Sequence, residues 1–287
     1  MANVVINDTH LNNIAAAIRE KSGSADTYKP SEMAAAIQAI TVNPGGGDTP
    51  PASSIDFDDY IGRTLSGEVE FNCNKVGRYG LAGCSNVTKF NIHGLANSSY
   101  AFMGCSNLQE LTLPDTTEFG TSSCSGNAKL VTVNAPQVTI INDNAFNGCK
   151  ALTNITLGDI TRVEEGAFQG CKALTKIDLG TCEQAHNYYS LWIGPHMYAD
   201  VFSGCEALTA IIIRGKIPCC HSYVCPFPAQ FRADYEGLLE SGYIYVPRAM
   251  ITEYQQYQAN IAGTYPYYDH FTMMNYRAIE DYPEICG

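Results

Sequence analysis

The chain has 287 residues, a formal net charge of −12 and an apolar content of 45%. This apolar content is ordinary for a protein with a buried core, while the negative charge repels phosphate backbones, so nucleic acid is not an expected partner. No apolar run approaches the length that spans a bilayer, and the start of the chain lacks the pattern of a secretory signal, so we expect no membrane insertion.

Residues 1–41 predict two short amphipathic helices, with capping residues at Asp8 or Thr9 and at Ser31. Helices of this length are marginal alone and are expected to pack on each other or on a partner. The segment is therefore interpreted as a helical docking segment, with a free helical hairpin as the alternative. Residues 42–54 are rich in Gly and Pro and predict a linker.

Residues 55–242 contain a repeated unit, seen best in the tandem copies 138–157 and 160–179. The two copies differ by a fixed offset, since 171 − 149 = 22 for their cysteines. A period in the twenties is typical of a solenoid in which each coil buries its apolar face against its neighbours. We therefore predict a β-rich repeat solenoid with short parallel strands.

Each repeat contains a short apolar–polar–apolar strand, whose middle residue should point outward because side chains alternate along a strand. Stacked coils would align these polar residues in one ladder, which is a candidate binding surface. Its members are Asn91, Thr112, Asn134, Thr156 and Asp178, with Glu70 at its start. Ile212 takes the same position in a later repeat, which suggests that another segment covers the solenoid there.

Cysteine is frequent, with 12 in the chain, and five occupy one repeat register three residues before an apolar position. These five are Cys84, Cys105, Cys149, Cys171 and Cys205, and Asn127 takes the same register in one further copy. A residue type that recurs beside core leucines is most simply a buried free thiol. Disulfides between neighbouring coils are the alternative.

Between Cys171 and Cys205 the offset is 34, so this coil contains 34 − 22 = 12 additional residues. The insertion is aromatic, and insertions in solenoids form loops on one face. Its candidate binding residues are Tyr188, Tyr189, Trp192, His196 and Tyr198. Aromatic rings beside polar groups suit contact with a glycan or a protein, although they equally suit a covering role over the solenoid edge.

Catalytic and metal-binding patterns are weak. Cys219, Cys220, His221 and Cys225 lack the paired spacing of a zinc site, and no carboxylate pair can be assigned to a catalytic role. We therefore predict no enzyme activity, no cofactor and no metal.

Residues 243–287 depart from the repeat pattern and predict a C-terminal α/β cap. A strand is expected at 243–247, a helix at 248–262 and a last strand within 271–279. Solenoids need such a cap to cover the end of the core.

The unit Ala-Phe-x-Gly-Cys-x-x-Leu-x-x-Ile-x-Leu at 145–157 and 167–179 resembles the BspA-type leucine-rich repeat. This resemblance implies a non-enzymatic protein that binds host proteins or surface glycans. Residues 11–37 are similar to a segment that opens many tail-associated proteins of phages and prophages.

Together the two resemblances imply a virion protein of the tail tip, baseplate or fibre, assembled in the host cytoplasm. Residues 1–41 would bind other tail proteins, the repeats would face the host, and a homo-oligomer could form in the particle. The alternative is a leucine-rich repeat adhesin of the bacterial surface or a secreted one.

Overall fold

The computed structural model describes residues 4–6, 56–57, 65–72, 75–76, 78–95, 98–181, 196–197, 201–215, 219–220, 231, 242–256 and 275–287. Short strands dominate these residues. In chain order they are β1 Val4–Ile6, β2 Asp56–Phe57, β3 Gly67–Asn72, β4 Lys75–Val76, β5 Val87–His93, β6 Glu110–Thr112, β7 Glu118–Phe119, β8 Thr132–Ala135, β9 Ile140–Ile141, β10 Asn154–Leu157, β11 Arg162–Val163, β12 Lys176–Asp178, β13 His196–Met197, β14 Ala210–Ile212, β15 Cys219–Cys220, β16 Tyr243–Val246 and β17 Tyr276–Ala278.

All pairings between these strands are parallel, and each of the five coils from β6 to β15 contributes one strand to each of two stacks. The first stack comprises two sheets, in the orders β1-β3-β5-β6-β8-β10 and β12-β14-β16-β17. The second stack has the order β15-β13-β11-β9-β7, and β2 pairs with β4 in a separate sheet. The prediction of a leucine-rich repeat fold with short parallel strands is therefore confirmed.

The alternation of side chains along each strand separates the core from the surface. In β8, Val133 and Ala135 are buried and Asn134 is exposed, which matches the predicted outward position. The next coil places a residue of the same kind beside each of these, because β8 and β10 pair without a shift in register. Repetition of the sequence thus becomes a ladder of like side chains.

A column of phenylalanines fills the core at the opposite side of each coil. Phe146 and Phe168 stack with their ring centroids 5.3 Å apart, and Phe168 stacks on Phe202 at 5.6 Å. All three rings are fully buried. The phenylalanine that recurs at this position, after Ala145, Ala167 and Val201, therefore provides a continuous aromatic stack across three coils.

The buried cysteines act as hydrogen-bond donors between coils. The thiol of Cys149 donates to the carbonyl of Cys124 at 3.1 Å, and that of Cys171 donates to Phe146 at 3.3 Å. Cys105 and Cys205 donate in the same way to carbonyls of the preceding coil. A buried carbonyl without a donor would cost free energy, so this register selects a small side chain that can donate.

Asn127 shows that the cysteine position of the repeat requires a hydrogen-bond donor and not a sulfur atom. It occupies the cysteine register, is fully buried, and its Nδ2 donates to the carbonyl of Phe102 at 2.9 Å. An amide thus replaces a thiol in the same role. The prediction of buried thiols is confirmed for Cys84, Cys105, Cys149, Cys171 and Cys205, all of which are buried and form no disulfide.

We expect Cys149, Cys171 and Cys205 to react with iodoacetamide only after denaturation. Burial raises the pKa of Cys149 and Cys171 well above the usual value and that of Cys205 to about 12, and the thiolate is the reactive form. Mass spectrometry of protein alkylated at pH 8 with and without guanidinium measures the modification of each cysteine. Rapid alkylation of Cys149 or Cys171 in the native protein would contradict this expectation.

The N-terminal segment contributes a strand to the repeat sheet. In β1, Val4 and Ile6 are in register with Val69 and Phe71 of β3, so β1 covers the edge of the first sheet. Removal of residues 1–41 would leave that edge of β3 without its parallel neighbour. The predicted helices of this segment and the linker at 42–54 lie outside the described residues.

The segment after residue 242 extends the first stack. The predicted strand at 243–247 is present as β16, the predicted last strand is present as β17, and residues 251–256 are helical. A short helix, Pro283–Cys286, follows the last strand. Ile212 is buried in a small cluster with Tyr245 and Cys286, so the C-terminal residues cover this apolar position as its sequence suggested.

No helix among the described residues is long and apolar enough to cross a membrane.

Candidate binding surface

The outward side chains of the first stack form one continuous surface, which we call the outer face. Strand register aligns its two rows. One row is Glu70, Asn91, Thr112, Asn134 and Thr156, and the other is Glu68, Lys89, Glu110, Thr132 and Asn154. The structure thus brings together four of the five predicted ladder residues, and Asp178 follows on β12, in the adjacent sheet.

The beginning of the outer face is charged. Lys89 Nζ lies 2.8 Å from Glu110 Oε2, and this hydrogen bond raises the pKa of Lys89. His93 lies between Glu70 and Asp115, at 3.7 and 3.8 Å. These side chains are 39–55% exposed, so solvent screens the pairs and each contributes little to stability.

The middle of the outer face carries no charge. Thr112, Thr132, Asn134, Asn154 and Thr156 provide hydroxyl and amide groups, and the last three of them are exposed. Such groups can donate or accept hydrogen bonds without the desolvation cost of an ion. This region is therefore the part of the outer face best suited to a neutral polar ligand.

The C-terminal residues cover the end of the outer face. Arg277 lies over the ring of Tyr243, 3.2 Å from its centroid, and 4.9 Å from that of Tyr282. Arg214 pairs with Asp178 at 2.6 Å, and this hydrogen bond raises the pKa of Arg214. Arg214 also donates to the carbonyl of Cys286, and this bond and the contacts of Arg277 hold the C-terminal residues over β14 and β16, where the outward residues are apolar or aromatic.

A cleft lies between the neutral middle and the covered end. It has a volume of about 840 Å³ and is lined by Asn154, Thr156, Asp159, Lys176, Asp178 and Arg214, with backbone from β10 and β12. Volumes of this size are typical of ligand sites. Two cationic side chains that line the cleft donate hydrogen bonds to the backbone. Lys176 Nζ donates to the carbonyl of Ile285 at 2.8 Å, and Arg214 donates to the carbonyl of Cys286.

The cleft coincides with a break in the sheet. At the other described coil junctions, residues beside the strands form backbone hydrogen bonds, as in Thr153 N–H to Val131 O and Thr209 N–H to Thr175 O. Strands β10 and β12 belong to different sheets, and the corresponding bond from Thr175 to Thr153 is missing from the described backbone. Ile155 and Leu157 are partly exposed here, whereas Ile177 and Leu179 are buried.

The aromatic candidates are only partly located by the structure. Tyr188, Tyr189, Trp192 and Tyr198 lie outside the described residues. His196 belongs to β13, in register with Arg162 of β11. From Asn154 to Arg162 there are 162 − 154 = 8 positions, and from Lys176 to His196 there are 196 − 176 = 20. The 12 additional residues therefore precede His196, which is part of the regular coil.

The cysteine and histidine cluster is also only partly located. Cys219–Cys220 forms β15, and His221 and Cys225 lie outside the described residues. The described residues contain no group of three or more His, Cys, Asp or Glu side chains placed to hold a metal ion.

Sequence reasoning identified Thr156 and Asp178 but missed the other residues that line the cleft. Lys176 and Asn154 flank the predicted outward position by two residues, so strand alternation could have placed them on the same face. Arg214 and Asp159 follow the strands and carried no pattern that distinguishes them from surface charges.

Part of the repeat array matches a known family model. Residues 74–189 match the BspA type leucine rich repeat region in six copies, a shorter span than the predicted array of 55–242. No curated protein sequence matches the chain. The resemblance of residues 11–37 to phage tail proteins has no counterpart in these matches.

Two solved structures are similar to this chain. One is a leucine-rich repeat protein from Bacteroides ovatus, with 17% identity and a TM-score of 0.45 over 77% of this chain and 55% of that one. The other is a leucine rich cell surface protein from Faecalibacterium prausnitzii, with 16% identity and a TM-score of 0.22 over 60% of this chain and 79% of that one. The chain thus spans little more than half of the Bacteroides protein.

Proposed function

We propose that this protein is a non-enzymatic leucine-rich repeat protein of a bacterial surface, which binds a macromolecular partner through the outer face. The match of residues 74–189 to BspA type repeats supports this proposal. Among the features of the fold, the outer face supports the proposal most directly. Its residues vary from coil to coil, while the inward residues of the same strands remain apolar.

The physical contrast between the two faces of the sheet carries the proposal. Inward positions such as Val133 and Ile177 are about 1% exposed and are constrained by packing. Outward positions such as Asn134 and Thr156 are exposed and have no packing role. A regular row of exposed polar groups on a rigid scaffold can be matched to a partner without altering the core.

A virion protein of a phage tail is the second candidate. It depends on the resemblance of residues 11–37 and on the interpretation of residues 1–41 as the attachment segment, which would bind other tail proteins. Immunogold labelling of intact cells and of released particles distinguishes the two. Label on the cell surface supports the adhesin, whereas label confined to particle tails supports the virion protein.

We expect the variant Asn134→Lys/Thr156→Lys to bind immobilised host mucin and extracellular proteins at least tenfold more weakly than the unmodified chain. Two added charges would be buried unpaired against a partner that fits neutral groups. Biolayer interferometry measures the affinity. The matched control is Ser106→Lys/Ala128→Lys, since these exposed turn positions align with Lys150 and Lys172 of later coils and the added charge is the same.

The aromatic insertion that contains Trp192 is the alternative binding surface. If Trp192 anchors the partner, Trp192→Ala should cost about 2 kcal/mol or more of binding free energy, over tenfold in affinity, with an unchanged melting temperature. If Trp192→Ala binds the partner more weakly and Asn134→Lys/Thr156→Lys binds it normally, the binding site lies in the insertion and not on the outer face.

A further inference from the structure

We infer that strands β1 and β2 form one coil of the solenoid, and that the chain between them, residues 7–55, is a long insertion into that coil. This insertion leaves the solenoid from the same corner of the coil as the aromatic insertion near Trp192. The inference goes beyond the proposed function and does not depend on it. It begins from the number of residues that separate the strands of each coil.

Regular coils have a fixed spacing between their strands. The second-stack strand follows the first-stack strand by 118 − 110 = 8 residues from β6 to β7, and by the same number from β8 to β9 and from β10 to β11. The equivalent position of the next first-stack strand follows 14 residues later, since 155 − 141 = 14 for Ile141 and Ile155. These two numbers define where each strand belongs in its coil.

Strands β3 and β4 fit this scheme. Val69 and Val76 are 76 − 69 = 7 residues apart, and Phe90 of β5 follows Val76 by 90 − 76 = 14. Five residues after Val76, Leu81 N–H donates to Ala101 O at 3.1 Å, and bonds of the same kind begin five residues after the ends of β7, β9 and β11. Strand β4 therefore occupies the second-strand position of its coil.

Strands β1 and β2 add one coil before this one. Val4 of β1 is in register with Val69, and Phe57 of β2 is in register with Val76. From Phe57 to Val69 there are 69 − 57 = 12 positions, close to the 14 of a regular coil. From Val4 to Phe57 there are 57 − 4 = 53 positions, compared with 7 from Val69 to Val76. The coil is thus of ordinary length except for 53 − 7 = 46 additional residues between its two strands.

The aromatic insertion lies at the same place in its own coil. Its 12 additional residues separate β12 of the first stack from β13 of the second, just as the 46 residues separate β1 from β2. Because strands at the same position of the coil are stacked in register, both insertions leave the solenoid at the corner that follows the first-stack strand. Insertion at this corner leaves the strands of the outer face uninterrupted.

This topology specifies how the predicted docking segment is attached. A segment at the end of a linker is joined to the solenoid at one point. An insertion is joined at both ends, here through the pairing of β1 with β3 and of β2 with β4. A partner that binds residues 11–37 would therefore pull on two strands of the solenoid at once.

A shortened chain tests whether β1 and β2 belong to one coil. Residues 7–55 are replaced by Asn-Ser-Asn, which copies residues 72–74 with serine in place of Cys73 and restores a spacing of 7 between Val4 and Phe57. We expect the amides of β3 and β4 to exchange with deuterium within about threefold of their rates in the unmodified chain. Deletion of residues 1–55 removes both strands and should raise these rates at least about tenfold.

Equal rates in the shortened and the deleted chain would overturn the inference, because three residues can join β1 to β2 only if the two strands follow one another in a coil. Unchanged rates in the deleted chain would overturn it as well, since β1 and β2 would then not pair with β3 and β4. NMR or mass spectrometry of the exchanging amides measures both comparisons.

A second variant retains the insertion, so it remains informative if the shortened chain does not fold. Val5→Pro/Ile6→Pro removes two consecutive N–H groups, one of which points towards β3 because these groups alternate along a strand. If β1 and β2 form one coil, the loss of β1 should also speed exchange in β4 at least about threefold. Val5→Thr/Ile6→Thr is the matched control, since threonine keeps the N–H and favours strands. Faster exchange in β3 with unchanged exchange in β4 would show that β1 joins the sheet independently of β2 and would overturn the inference.

Discussion

Replacing Phe168 with alanine is expected to lower the free energy of unfolding by about 3–5 kcal/mol. The side chain is fully buried and stacks on Phe146 on one side and on Phe202 on the other. Its removal creates a cavity and interrupts the aromatic column in the middle of the array. Because each coil of a repeat protein is stabilised by its neighbours, the loss weakens the interfaces on both sides.

Equilibrium denaturation in guanidinium, followed by circular dichroism, measures this loss. Val131→Ala is the control, since Val131 is 37% exposed and its truncation should change the free energy of unfolding by less than about 0.5 kcal/mol. A decrease of less than 1 kcal/mol for Phe168→Ala would contradict the role of the column. It would indicate that the surrounding coils can collapse into the space.

Gly120→Ala is expected to destabilise the protein by roughly 3 kcal/mol, the upper range of steric overpacking. A Cβ at Gly120 would lie less than 3.0 Å from three atoms of Ser99, of which two, N and Cα, are backbone. Backbone cannot move aside as a flexible side chain can, so the two coils must separate. The glycine is therefore required by the close approach of neighbouring chains.

Gly104→Ala is the matched control for Gly120→Ala. Gly104 has a φ of 71°, and a Cβ there would meet nothing within 4 Å, so its substitution is strained only by the left-handed backbone. That strain costs about 1–2 kcal/mol. Thermal and chemical denaturation of the two variants should rank Gly120→Ala as the less stable. The opposite ranking would mean that the backbone conformation, rather than the contact between coils, requires glycine in this array.

Much of the fold could be predicted from the sequence, because residues of the same type recur at the same position of each coil. The offset of 22 between Cys149 and Cys171, with Leu152 and Leu174 three residues later, predicted the coils and their register. Ile212 predicted a covering segment because an apolar residue interrupts a polar row, and the cluster with Tyr245 and Cys286 provides that cover. Patterns of this kind can be read from sequence because each coil contacts the next in the same way.

The features outside the repeat were harder to predict. The pairing of β1 with β3 joins residues far apart in sequence, and the short apolar run of Val4–Ile6 does not specify which strand it pairs with. The break between β10 and β12 has no signature either, because Ile155 and Leu157 are of the same residue types as Ile177 and Leu179. The cleft therefore arises from how two regular coils are spaced, which residue types alone do not encode.

The hydrogen-bond donors at the cysteine position of each repeat allow the gene to gain or lose whole coils. Cys149 and Cys171 each bond to a carbonyl in the coil before them, and Asn127 does the same with an amide. Each coil from Cys105 to Cys205 thus donates a hydrogen bond to a carbonyl of the coil before it. Duplication or loss of one whole coil by recombination would leave each remaining donor with an acceptor. The length of the array, and with it the extent of the outer face, is therefore free to vary between lineages without redesign of the core.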